Sequence, residues 1–222
     1  FLQGATMGTY YRVQFAPSED CRPSQFALDQ QLLGFNQSLS TYLADSELSL
    51  LNKVPAQVPR PISQRLSVAL VAAVELWRDT AGAFDVTVGP LVNIWGFGPD
   101  QGLPWPPSET AQLDAAASVG MQHIELLPNK QIRKRLATTY IDLSAIAKGQ
   151  AVDEIAEILS GMGCEHFLVD IGGEVRVKGL NSAGKLWRVG IEVPRSGQQG
   201  SVQRVLSVSG QSVATSGDYR NF

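Results

Sequence analysis

Tyr140-Ile141-Asp142-Leu143-Ser144-Ala145-Ile146-Ala147-Lys148-Gly149-Gln150-Ala151-Val152-Asp153 sets one acid, one lysine and one glycine at the entrance to a helix. Ahead of it, Thr139, Tyr140 and Ile141 favour a strand. Behind it, Ala151, Ile155, Ile158 and Met162 recur at helical spacing until Gly161 and Gly163 end the pattern. Asp142 and Lys148 are therefore expected at a strand-to-helix junction. There, backbone N–H groups without helical partners and the positive end of the helix dipole face outward, and a phosphate can settle beside an ammonium. An N-terminal acid cap and a solvated lysine use the same residue types, so the stretch alone does not choose between the two.

On the N-terminal side, residues 9–15 have the β-branched and aromatic content of a strand, which Pro17 ends. A helix capped by Ser24 should follow, with Leu28, Leu32, Phe35 and Leu39 along its core face. A second helix, capped by Ser63 and stopped by Gly82, carries Leu66, Leu70, Val74 and Trp77. The loop of residues 40–49 between them is placed to present Tyr42 to a ligand. Residues 82–98 are neither a clean helix nor a clean strand. Their glycines and aromatic side chains suit a loop whose backbone approaches a flat ligand and whose Asp85 accepts hydrogen bonds, or equally a core loop packed around Trp95. Gly96 and Gly98 lack the strand–turn–helix setting of a dinucleotide fingerprint. The proline-rich residues 99–107 read as a surface crossing, and Ser108 caps a short helix.

Farther on, residues 124–133 read as a hairpin turning at Pro128 and Asn129, with Lys130, Arg133, Lys134 and Arg135 on a solvated basic face. Residues 167–170 form a strand ending at Gly172-Gly173, a pair suited to a tight turn of positive φ. Alternating strands recur at Val175 and Val177, at Trp187, Val189, Ile191 and Val193, and near residues 205–208. Helices in the first half and hairpins in the second give an α+β fold without internal repeat or long linker.

Composition narrows the function. With 222 residues, 44% of them hydrophobic, the chain can bury one large core or two modest ones, and its net charge of −3 gives no footprint for nucleic acid. No stretch has the length of a membrane span, and a chain beginning at Phe1 is expected to be a processed or trimmed product. Two cysteines, Cys21 and Cys164, and two histidines, His123 and His166, do not make a zinc site. The pairing of the cysteines stays open. A metal here should be hard and oxygen-bound, with magnesium favoured if a phosphorylated ligand shares the site.

Six segments occur in the order seen in ApbE-type flavin transferases. They are Thr6-Met7-Gly8-Thr9; Tyr42 with Asp45-Ser46-Glu47-Leu48-Ser49; Gly82-Ala83-Phe84-Asp85 with Val88-Gly89-Pro90-Leu91; residues 142–149; Ile171-Gly172-Gly173-Glu174; and Ala214-Thr215-Ser216-Gly217-Asp218-Tyr219-Arg220. The chain resembles that family from end to end. The resemblance implies a single ApbE-like, T-fold-like domain over residues 1–222, with helices packed on mainly antiparallel sheets and the C-terminal part of the family fold absent. It implies an FAD:protein FMN transferase, which cleaves FAD with magnesium, joins FMN through a phosphoester to a threonine or serine of a target protein, and releases AMP.

By similarity, Met7, Tyr42, Ala83, Phe84, Asp85, Asp142 and Lys148 should contact FAD, and the carbonyl of Ala145 should contact magnesium. Members normally continue into a His-x-Ile-Asp-Pro segment and an Asp-x-x-x-Thr metal segment. Neither occurs in these 222 residues, so the expected histidine base has no counterpart here, no catalytic residue is assigned, and whether this chain alone turns over is left open. The resemblance also implies a periplasmic lipoprotein on the bacterial inner membrane, acting on a flavoprotein subunit of a membrane redox complex. Two other readings remain: an FAD pyrophosphatase giving free FMN and AMP, and a non-catalytic FAD-binding or flavin-delivery protein.

Overall fold

In the computed structural model, which describes residues 1–16, 18–99, 105–193 and 201–216, the chain divides into two compact units. One holds Phe1–Leu33 and the chain from Lys148 onward; the other is Gly34–Ala147. The chain passes between them inside two helices, α1 (Gln25–Leu39) and α6 (Ser144–Gly161).

The first unit is built on hairpins whose turns need positive φ. Met7 (φ 50°) and Gly8 (φ 70°) turn β1 (Leu2–Thr6) into β2 (Thr9–Phe15), and Gly172 (φ 58°) and Gly173 (φ 92°) turn β6 (Phe167–Ile171) into β7 (Glu174–Lys178). Two consecutive left-handed residues match the twist of the flanking strands, which is why two-residue hairpins favour them. With β10 (Ser212–Val213), these strands form a five-stranded antiparallel sheet in the order β1-β2-β6-β7-β10. A separate hairpin pairs β8 (Trp187–Glu192) with β9 (Val202–Val208). Leu168, Val175, Val177, Trp187 and Val208 close a core cluster between that hairpin and the sheet. Tyr11 on β2 donates its hydroxyl hydrogen to Asp29 on α1, and Arg176 on β7 pairs with Asp153 on α6 at 2.8 Å. Cys21 and Cys164 are joined in a disulfide spanning 143 positions of sequence, which closes the question the spacing left open.

The second unit carries α2 (Glu47–Asn52), α3 (Gln64–Asp79), α4 (Gly89–Ile94), α5 (Glu109–Ala116), and a small antiparallel sheet in which β5 (Gln131–Lys134) lies between β3 (Arg60–Pro61) and β4 (Ile124–Leu127). Ser46, Ser63 and Ser108 cap α2, α3 and α5, each accepting from the backbone N–H three residues on. The β4–β5 hairpin turns through Pro128, with Asn129 and Lys130 both at positive φ.

The α+β expectation with mainly antiparallel sheets is met. Four local expectations change. Residues 139–141 form no strand: Tyr140 makes only an isolated parallel bridge to Val88. The buried face of α3 is Leu66, Ala69, Leu70 and Ala73, so the small alanines, rather than Val74 and Trp77, set the line of closest packing. On α6 the core line runs through Ala151, Val152, Ile155, Ala156 and Leu159, and Met162 lies outside the helix and exposed. α2 begins inside residues 40–49 and α4 lies inside residues 82–98, both read as loops, each helix being too short to declare a period. Pro17, residues 100–104 of the proline-rich crossing, and residues 217–220 of the last family segment lie outside the described residues.

In the chain-entropy view, a cross-link closing so long a loop stabilises by about 3 to 5 kcal/mol. The paired substitution Cys21→Ser and Cys164→Ser should lower the unfolding free energy in urea by that amount. Reductant should produce the same fall in the unchanged protein and none in the double variant.

Candidate functional site

The candidate residues fall on four positioned segments, the fourth being the loop that carries Tyr42, and none is buried. Met7 is the first left-handed residue of the β1–β2 turn. Ala83, Phe84 and Asp85 follow the C-terminus of α3. Asp142, Ala145 and Lys148 flank or occupy the first two turns of α6. Lys148 is thus within the helix rather than ahead of it.

The loop after α3 is tied by Asp85 itself. One carboxylate oxygen accepts from the N–H of Thr87 at 2.7 Å and from its hydroxyl at 2.5 Å, and the other accepts from the N–H of Met121 at 3.1 Å. The buried Thr87 hydroxyl accepts in turn from Gly120 at 2.6 Å. With three bonds made, the carboxylate keeps acceptor capacity for about one more. Its first role is to shape the loop that carries Ala83 and Phe84. The N–H of Asp142 donates to the carbonyl of Val86 at 2.7 Å, and Gly89 lies so close to Tyr140 that a Cβ there would sit 2.3 Å from the ring. The structure therefore brings Asp85 and Asp142 onto hydrogen-bonded neighbouring segments. Tyr42 is 63% exposed and donates to the carbonyl of Phe97 at 3.0 Å, which anchors it to the far end of the same aromatic loop.

What holds residues 137–142 in place is a lysine that the sequence reading put on a solvated face. Lys134 is 1% exposed, and its ammonium donates to the carbonyls of Asn52 at 2.6 Å and of Ala137 and Thr139 at 3.1 Å. All three ammonium protons have acceptors, which is what makes a buried charge tolerable, although burial still pushes the amine below its ordinary pKa. Asn52 completes the clamp, its side-chain amide donating to the carbonyl of Ile141 at 2.9 Å and accepting from its N–H at 2.8 Å. The available signal was strand alternation: Lys134 stands two residues from the buried Ile132 and so shares its face.

In the first unit, Lys148 pairs with Glu174 at 2.9 Å. It also lines a groove of about 670 Å³ with Tyr10, Arg12, Asp170, Arg188 and Thr215. Asp170 accepts from the N–H of Gly173 at 2.9 Å. Burial raises its pKa above the ordinary 3.8, against the opposing pull of the Gly173 N–H, the Tyr10 hydroxyl and the Arg12 charge. Sequence reasoning passed over Tyr10 and Asp170 because each alternates within an ordinary strand. Ala145 is exposed and offers one hard oxygen donor, its carbonyl. Among the described residues no group of three or more His, Cys, Asp or Glu side chains is placed to hold a metal. One carbonyl by itself is not a magnesium site.

The family model described as the ApbE family matches residues 7–222. This chain belongs to the ApbE family. A protein of Vibrio cholerae named FAD:protein FMN transferase is 41% identical over 224 residues, covering 100% of this chain and 66% of its own length. One of Haemophilus influenzae with the same name is 40% identical over 230 residues, covering 99% of this chain and 66% of its own. The chain thus spans slightly less than two thirds of these curated relatives. The solved flavin transferase ApbE from Vibrio cholerae superposes with a TM-score of 0.91 at 39% identity, over 99% of this chain and 72% of that one.

The groove carboxylate gives a pH signature. A raised folded-state pKa means that the folded protein binds the Asp170 proton more tightly than the unfolded chain does. That stability is complete below the ordinary value of 3.8 and is lost as pH rises through the folded value. Asp170→Asn should therefore unfold at a higher urea midpoint than the unchanged protein at pH 7, and the difference should vanish near pH 3.5.

Proposed function

We propose that the whole protein is an FAD:protein FMN transferase. The observation that carries this reading is the family match over residues 7–222 together with relatives of that name at 40 and 41% identity. In the proposed reaction, the hydroxyl oxygen of an acceptor threonine or serine bonds to the phosphorus on the FMN side of FAD. The bond from that phosphorus to the bridging oxygen breaks, AMP leaves with that oxygen, and the hydroxyl proton passes to the histidine base that the resemblance implies for the whole protein. Phosphoryl transfer of this kind depends mainly on positioning and on offsetting charge.

In this reading Lys148 offsets phosphate charge. Met7, Tyr42, Ala83 and Phe84 supply apolar and aromatic surface for the flavin, and Asp85 and Asp142 supply polar anchors. Magnesium enters the proposal through the resemblance, with the Ala145 carbonyl as one donor. The acceptor is a flavoprotein subunit of a membrane redox complex, met at the periplasmic face of the inner membrane, where a lipid anchor holds the enzyme. The Cys21–Cys164 disulfide supports an oxidising compartment.

The test is to incubate the full-length protein with FAD, magnesium and a threonine-containing acceptor and to weigh the acceptor by mass spectrometry. An FMN-sized increment with AMP release, lost on adding a metal chelator, is the expected result. Free FMN with an unmodified acceptor would make the protein a pyrophosphatase, and bound, uncleaved FAD would make it a carrier. Lys148→Ala should weaken FAD binding about tenfold, the size of one charge-assisted hydrogen bond, and leave riboflavin binding unchanged. Equal losses for both ligands would remove Lys148 from the phosphate.

A further inference from the structure

Lys148 does not face the groove as a free cation. Its ammonium lies 2.9 Å from a carboxylate oxygen of Glu174, with the lysine side chain 34% and the glutamate 17% exposed. Three glycines shape the pair. Gly172 and Gly173, at φ 58° and 92°, form the turn that delivers Glu174 as the first residue of β7, opposite Ile171 in the hairpin register. A Cβ on Gly172 would come within 2.7 Å of Thr9 Cγ2, so the bare glycine allows the close approach to β2, and at 3.5 Å from Lys148 Cδ the turn lies in ordinary contact with the lysine stem. A Cβ on Gly149 would stand 3.3 Å from the second carboxylate oxygen of Glu174, so that glycine leaves room for the carboxylate beside the helix. Lys148, Gly172 and Gly173 all line the groove.

An ion pair this accessible adds little to folding. Its effect falls on the charge that Lys148 presents. We propose that Glu174 is a positioning and affinity-setting residue: it fixes the Lys148 ammonium over the Gly172-Gly173 turn and offsets part of its charge, so that the phosphates of a dinucleotide bind weakly enough to be released after cleavage. This inference rests on the transferase reading. Glu174 acts through Lys148, and the bound phosphate competes with the carboxylate for the same ammonium. A lysine freed of its partner would hold any pyrophosphate more tightly while leaving an uncharged isoalloxazine ligand unaffected.

The experiment is calorimetric titration of the full-length protein, in magnesium-containing buffer, with FAD, inorganic pyrophosphate and riboflavin. Glu174→Gln should bind FAD and pyrophosphate about fivefold more tightly, the equivalent of one partly exposed ion pair, with riboflavin affinity unchanged. Glu174→Asp, which keeps the charge, should stay close to the unchanged protein. A merely structural role would instead shift all three ligands together. Gly149→Ala provides a variant that does not endanger folding, because alanine is the better helix former. Its methyl crowds the carboxylate and should tighten pyrophosphate binding in the same direction.

An unchanged or lower ratio of FAD to riboflavin affinity in Glu174→Gln overturns the proposal. If that variant does not fold, an unchanged ratio in Gly149→Ala does so. If the unchanged protein binds neither FAD nor pyrophosphate, the transferase reading falls as well; if it binds both and the ratios do not move, only the role of Glu174 falls.

Discussion

The ammonium of Lys134, sealed from water and donating to the carbonyls of Asn52, Ala137 and Thr139, sets the course of the chain into its central helix. Burying a lysine charge costs several kcal/mol, and that cost is tolerable only where every proton finds an acceptor. Once the three carbonyls are gathered on one amine, residues 137–139 cannot lie straight, and Asn52 takes the place of a neighbouring strand for Ile141. The next N–H, that of Asp142, reaches Val86. The loop carrying Ala83, Phe84 and Asp85 is thereby hydrogen-bonded to the segment that starts α6. A buried electrostatic demand decides which exposed residues become neighbours.

In the other unit the ordering principle is backbone conformation. The β1–β2 and β6–β7 hairpins close through pairs of left-handed residues, and those turns deliver Met7 in one case and Glu174 in the other. Two of the interactions that tie distant sequence together here differ greatly in weight. The Cys21–Cys164 bond spans 143 positions and contributes on the scale of kilocalories. The Lys148–Glu174 pair, partly open to water, contributes at most about 1 kcal/mol to folding. A contact of so little structural weight, shaped by three glycines, is better understood through the charge it controls.

Much of this was legible in the sequence where a single local rule decides. Ser24, Ser63 and Ser108 cap helices as their spacing implies, Leu28, Leu32, Phe35 and Leu39 are all buried, and Gly172-Gly173 is a hairpin turn. The reading fails where tertiary structure supplies what local chemistry lacks. Residues 139–141 have strand composition, yet a side-chain amide satisfies Ile141, so no strand forms. Lys134 looks solvated beside Arg133 and Arg135 because nothing local reveals three inward-facing carbonyls. The two-residue β10 depends for its pairing on the distant β7, whereas β1 pairs with the adjacent β2 across the Met7-Gly8 turn. The candidate ligand residues had no signature of their own: Ala83, Ala145 and Met7 are unremarkable in composition, and only their place in six ordered segments singled them out. Glu174 lay in one of those segments, but its partner was visible only once α6 and β7 were seen side by side.

The proposal that most needs a direct test is that FAD contacts the β1–β2 turn, the loop after α3 and the start of α6 of this ApbE-family chain. Backbone hydrogen exchange of the full-length protein, followed by mass spectrometry with and without FAD, tests it most directly. The account predicts slower exchange at residues 7–9, 83–86 and 142–149 when FAD is added, with the β4–β5 hairpin unchanged. FAD binding that leaves those three segments unaltered and protects other parts of the chain would contradict it.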